Sequence, residues 1–302
     1  RVRSSAASDV YKRQFDYYKK DKLFSKNDKP AFNQKDERFL KLKVALPFLS
    51  SKRLELGFGI AQIEDRYFQN NVIDFDKDKY DKSGYRLFGG SVSFNGSTLN
   101  SRQFPIQGAR EALVAQIFTG NESFRPGVNS ENKKPVKEKH SWLQLSYMKE
   151  KYHKMGANWI LGWYLDAVYA SKNFSENYTA TMMQASEFAP TAHSKLTYNE
   201  AFRANQYVAA GIRPIYRLNQ MFHVRGEFYG FLPIFPIERN SINKAYYGKA
   251  FSRFEYLGEI SVVCQLPFGA ISAYVNHYSS PRREWNVGLT LGWQLFNYRF
   301  IE

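Results

Sequence analysis

The segment Trp285–Leu295 reads WNVGLTLGWQL. Trp285, Val287, Leu289, Leu291, Trp293 and Leu295 are apolar, and Asn286, Gly288, Thr290, Gly292 and Gln294 between them are polar or small. In a β-strand successive side chains point to opposite faces, so this period of two makes one face wholly apolar and leaves the other fit for water. A soluble sandwich can contain such a strand. A length of about ten residues with tryptophans near both ends also fits a strand that faces lipid in a barrel.

Composition narrows the choice. Aromatic residues make up 17% of the 302-residue chain, with 21 Tyr and 25 Phe, a high share for an ordinary soluble domain. No apolar run reaches about 18 residues, which excludes a transmembrane helix. The mean hydropathy of −0.52 resembles that of a soluble protein, but alternation hides the apolar residues of a barrel from any average. The single Cys264 rules out an intrachain disulfide framework and reads as a small apolar residue on a strand face. The net charge of +15 is compatible with an anionic surface, nucleic acid or lipid phosphate. Its lysines cluster between strands, in Lys19–Lys35 and Lys133–Lys139, where acids dilute them. They read as solvated loops that can face lipid head groups, and nucleic acid is not expected as a partner.

Eleven segments carry a strand pattern: 40–48, 54–60, 88–96, 110–119, 143–147, 159–169, 207–217, 222–232, 254–266, 271–278 and 285–295. None reads as an amphipathic helix of normal length, so the fold class is all-β. Short turns fall near Pro47–Ser51, Asn100–Gln107, Lys151–Met155, Leu218–Gln220 and Pro267–Ala270. Long polar loops fall at Asp65–Ser83, Gly120–His140, Ser171–Arg203, Pro233–Lys249 and, more briefly, Ser279–Glu284. Short and long alternate strictly. An antiparallel up-and-down transmembrane β-barrel with short periplasmic turns and long external loops has this pattern. With short turns in the periplasm, the last strand runs inward and the C-terminus is periplasmic. Lys19–Glu37 then becomes an external loop, and Phe15–Tyr18 the remnant of an earlier outward strand.

Residues 1–14, RVRSSAASDVYKRQ, resemble the translated sequencing-adapter peptide that contaminates the ends of assembled reading frames. They are set apart from the fold as an artefact. The barrel domain is expected over 15–302, truncated at its N-terminus.

The inward face collects Arg225 and Glu227, flanked by His223 and Tyr229, then Arg253, Glu255, Glu259 and Gln265, with Arg213 nearby. Opposite charges on adjacent strands can pair across the ladder. They either brace the lumen as a polar network or line a conduit or gate latch. Facing lipid is excluded, because Arg at the bilayer midplane costs roughly 2–4 kcal/mol. No G-x-S-x-G elbow, P-loop, H-E-x-x-H or cysteine pair occurs, and the histidines at 140, 153, 193, 223 and 277 lack metal-ligand spacing. His223 and Glu227 lie about 13 Å apart along a strand, too far for direct acid–base cooperation. No catalytic residue, metal or cofactor is expected in this chain.

Phe254–Glu259 (FEYLGE), Gln265–Gly269 (QLPFG), Tyr278-Ser279-Ser280 and Leu289–Glu302 (LTLGWQLFNYRFIE) resemble the terminal strands of the Omp85/BamA-like surface-antigen barrels. They look most like the version fused behind a patatin-like phospholipase domain in diderm bacteria, and Phe202–Leu232, with YGFLPI (Tyr229–Ile234) at its end, resembles that group too. The resemblance implies a sixteen-stranded outer-membrane barrel preceded by POTRA repeats, of which about five strands and the soluble domain precede this sequence. For the fused members it implies an N-terminal patatin Ser–Asp lipid hydrolase that this barrel anchors and translocates. The alternatives are a protein insertase or translocation pore, and a porin-like structural barrel. The resemblance also implies that Phe296–Phe300 is read by the barrel-assembly machinery. It places Ser171–Arg203 where the family's sixth external loop folds into the lumen. That loop carries a Val-Arg-Gly-aromatic motif whose Arg latches onto a lumenal acid. Val224-Arg225-Gly226 is followed by Glu227 and lies in a strand, which makes it a coincidence. Phe202-Arg203-Ala204-Asn205, at the end of the long loop, makes Arg203 the latch candidate.

Overall fold

The computed structural model describes residues 3–17, 31–69, 80–128, 130–267, 269–279, 285–293 and 301. Twelve strands form one antiparallel sheet in simple sequence order. They are β1 (Arg3–Tyr17), β2 (Ala31–Leu49), β3 (Lys52–Tyr67), β4 (Asp81–Ser97), β5 (Gly108–Arg125) and β6 (Val136–Lys154). There follow β7 (Trp159–Ala170), β8 (Gln206–Arg217), β9 (Phe222–Pro233), β10 (Glu255–Leu266), β11 (Gly269–Tyr278) and β12 (Trp285–Trp293). Every neighbour in the chain is a neighbour in the sheet, the up-and-down meander that the loop alternation predicts. Among the described residues no ladder joins β1 to β12.

The eleven expected strands are all present, and several run further than the pattern indicates. β5 and β6 pair from Gly108 opposite Tyr152 to Phe124 opposite Val136, so about half of the loop expected over 120–140 is strand. β2 likewise begins at Ala31, inside the expected loop 19–37. Beyond the apolar band both faces are polar, and the period of two disappears from the sequence while the backbone ladder continues. β1 covers most of the segment set apart as an adapter. It pairs with β2 from Arg3 opposite Ala45 to Tyr17 opposite Ala31. An open sheet edge accepts a strand through backbone N–H and C=O groups alone, so this pairing needs no side-chain pattern. The tail Phe296–Phe300 lies outside the described residues.

The two faces are chemically opposite. Leu42, Phe58, Ile60, Phe88, Ile117, Ile212, Ile260 and Val262 point outward, and on β12 Val287, Leu289 and Leu291 are 78–80% exposed. Arg213, Arg225, Glu227, Glu259, Gln116 and Gln144 are buried on the inner face. A water-soluble fold reverses this order. Inner aromatics are also frequent, and Phe39, Ile63, Tyr85, Leu87, Phe118 and Trp142 form one cluster, against which Ile301 packs.

Candidate functional site

The connection from β7 to β8, residues 171–205, fills the inside of the curved sheet. Its sequence folds locally around short caps. Asn177 accepts a hydrogen bond from the Ala180 N–H to start α1 (Tyr178–Gln184), and Thr191 and Ser194 form a reciprocal capping box at α2 (Ala192–Leu196). Ser186–Glu187, in the middle of the segment, pairs with Arg203–Ala204 near its end and closes its second half into a loop. Helices this short hold no amphipathic stripe, and their capping residues are scattered, so the sequence pattern passes over them.

The segment docks on the wall at many points. Gln184 Nε2 donates to Asp65 on β3 at 2.5 Å, and Asn177 Nδ2 donates to the Tyr67 hydroxyl at 2.7 Å. Ser175 meets the Tyr85 hydroxyl on β4 at 2.8 Å. The Lys172 ammonium lies over the Trp142 ring on β6, 4.6 Å from its centroid. His193 Nδ1 is 2.8 Å from the Tyr278 hydroxyl on β11. At the centre, the Phe188 ring sits 5.6–6.3 Å from those of Tyr164, Tyr207, Tyr229 and Phe231, which project inward from β7, β8 and β9. These rings dominate one buried apolar cluster, so the plug is anchored by packing as well as by polar contacts.

The expected inner residues separate into three groups. Arg225 and Glu227, two residues apart on β9, form an ion pair along the strand and not across the ladder. Arg213 joins them, pairing with Glu150 and lying 3.8 Å from Glu227. Tyr152 accepts from Arg213 and Arg225, at 2.5 and 3.0 Å, and the Tyr229 hydroxyl donates to Glu227. Two guanidinium and two carboxylate groups thus balance inside the wall. Sequence reading misses Glu150 and Tyr152, because they come from β6, which meets β8 only across β7. Glu255 is four residues along β10 from Glu259 and pairs instead with Arg253, at 2.6 Å, on the long-loop side. Glu259 stands opposite Glu227 in register and accepts from Asn276 at 3.3 Å.

Arg203 is buried and pairs with Glu187 at 3.0 Å. Its guanidinium also donates to the Met182, Met183 and Ala185 carbonyls at 3.3–3.4 Å and stacks over Tyr198. All of these partners belong to the same loop, so Arg203 holds the plug in its own shape.

Glu122, Glu138 and His140 form a carboxylate–imidazole cluster, each with one ligand atom within 4.8 Å of the others. His140 Nε2 is 2.8 Å from Glu122, whose other oxygen accepts from Tyr85 at 3.1 Å. A search for spaced histidines passes over it because the β5–β6 register supplies Glu122 from across the ladder.

A cavity of about 420 Å³ lies beneath the plug. Met183, Gln184, Glu187 and Arg203 of the plug face Ala112, Gln144, Ser146 and Asp166 of the wall around it. Its lining carries side chains of both charges.

No protein-family model matches the chain. No curated protein matches it either. Among solved structures, BamA from Haemophilus ducreyi lacking POTRA domains 1–3 aligns over 95% of this chain at 11% identity, with a TM-score of 0.57. The chain spans 58% of the length of that structure. The transport unit of the autotransporter AIDA-I from Escherichia coli aligns over 95% of this chain and 86% of its own, at 12% identity and a TM-score of 0.41. The ferric preacinetobactin receptor BauA from Acinetobacter baumannii aligns over 92% and 44%, at 9% identity and 0.44. The likeness to BamA concerns the fold: this chain is built as an antiparallel up-and-down β-barrel wall.

Proposed function

We propose that this chain is the membrane-embedded, plugged barrel of an outer-membrane protein of the translocator or insertase type, and that it anchors an N-terminal patatin-like lipid hydrolase in the full-length protein. The observation that carries the barrel reading is the continuous apolar outer face, from Leu42 on β2 to Leu291 on β12, around a charged inner face. Such a surface is far larger than a soluble monomer exposes, and lipid is the solvent that it fits. The outer membrane is the compartment in which this fold resides, with the short turns in the periplasm. Its partners are outer-membrane lipids, the barrel-assembly machinery that takes the C-terminal strand, and a soluble domain ahead of Phe15. The hydrolase part rests on the resemblance of the last strands to patatin-fused barrels.

Refolded in detergent, the protein is expected to migrate differently on a gel before and after boiling and to give a β-type circular dichroism spectrum. A monomer that is soluble without detergent and indifferent to boiling would sink the barrel reading. The gene upstream of Phe15 tests the hydrolase. A G-x-S-x-G strand–turn–helix there supports it. POTRA repeats alone favour the insertase, and a signal peptide directly ahead favours a porin-like barrel. The same sequence shows whether 1–14 belong to the protein.

A further inference from the structure

The β4–β5 connection, residues 98–107, belongs to the short-turn end, where the other connections are 50–51, 155–158, 218–221 and 267–268. It is the longest of that set, and it folds inward. Arg225 Nη1 on β9 donates to the Pro105 carbonyl at 2.8 Å, and that guanidinium is among the most buried side chains of the wall. Leu99 and Ile106 pack against Tyr152, Ile160 and Ile215, which face inward from β6, β7 and β8. Gln265 Nε2 on β10 donates to Ser101 Oγ at 3.4 Å. The Gln103 amide fills the space at Gly292 on β12, where an added Cβ would lie 2.6 Å from its oxygen. A single turn therefore touches six wall strands besides the two that it joins. Contacts so distributed place it across the mouth.

The turn is also built to hold its own shape. Asn100 Oδ1 accepts from the Ile106 and Gln107 N–H groups, each at 3.0 Å. Gly108 has φ +95°, and a Cβ there would meet the Thr98 carbonyl oxygen at 2.2 Å, so only glycine allows the chain to swing inward. Phe104 has φ +48° just before Pro105, a conformation that costs a bulky residue energy and that proline further disfavours. The docking contacts, Arg225 foremost, hold that strain in place.

We propose that 98–107 is a second, inner plug: a preformed knob that closes the short-turn mouth of the lumen, opposite the 171–205 plug, and leaves as a unit to open the cavity between them. The inference rests on the barrel reading. It explains why Arg225 spends one donor on a turn carbonyl instead of on a second carboxylate. It also gives the balanced Arg213–Glu150–Arg225–Glu227 group a task, as the seat of the knob.

The test uses the whole chain with Cys264→Ser and Ala112→Cys, refolded in detergent and shown to be heat-modifiable. Ala112 lines the cavity. Its thiol should react slowly with a bulky charged maleimide when the turn is native. Leu99→Ser with Ile106→Ser, which unseats the knob, should speed labelling by about tenfold or more, because access then no longer waits for local opening. Equal rates with and without the knob seated, fast or slow, overturn the proposal. Should the double variant lose heat-modifiability, Ser101→Cys with Gln265→Cys in the Cys264→Ser protein decides the matter. An oxidant should cross-link them in the folded protein, and no cross-link would overturn it. Failure of the barrel reading is separate, as it appears as loss of the boiling shift in the parent itself.

Discussion

Glu227 sits where removal of a single atom group has the largest expected effect. It pairs with Arg225, lies 3.8 Å from Arg213 and accepts from Tyr229, all inside the wall. Glu227→Ala leaves two guanidinium groups sharing Glu150, an uncompensated buried charge that costs about 3–5 kcal/mol. Urea unfolding of the refolded protein should show a loss in that range, and a change under 1 kcal/mol would mean that water reaches these groups freely. At this scale the sequence was half legible. Alternation put Arg225, Glu227 and Arg213 on one inner face. It could not show that Arg225 reaches Pro105, 120 residues earlier, because that contact comes from the curl of the sheet. Nor could it show that Arg203 binds its own loop, since its five partners come together only once the loop folds.

At the scale of elements, the plug 171–205 responds to pH through Lys172. Burial among Trp142 and Tyr85, with Lys35 adding repulsion, lowers its ammonium to a pKa of about 7. An unfolded lysine keeps its proton to about pH 10.4. Between these values the unfolded chain binds more protons than the folded one, so stability rises with pH across that window. Below pH 7 both states are charged, and the folded state carries the full cost of burying the charge. The plug should therefore dock more firmly at pH 9 than at pH 6.5, read as slower proteolysis within 171–205. Lys172→Met should flatten that dependence. If the variant keeps the slope, another group sets it. The strands were legible here because lipid on one side and water on the other impose a period of two. The residue pattern showed the plug only as a long polar loop, since short capped helices leave no periodic trace; its inward fold was an expectation from the family resemblance of Ser171–Arg203 alone.

For the whole molecule, the decisive property is which face meets lipid. Up-and-down order followed from the alternation of short and long connections, and the meander in sequence order agrees with it. The occupied lumen followed from the family resemblance and not from the residue pattern, because plugs are held by contacts between residues far apart in the chain. The most direct test is a scan of nitroxide labels along β10 and β12 of the Cys264→Ser protein in liposomes. Labels at Ile260, Val262, Leu289 and Leu291 should collide with oxygen and be shielded from a water-soluble nickel complex. Labels at Ser261 and Thr290, between them, should lose the oxygen preference, giving a period of two. Outward labels that meet the nickel complex as readily as oxygen, with no alternation, would contradict the membrane-spanning barrel.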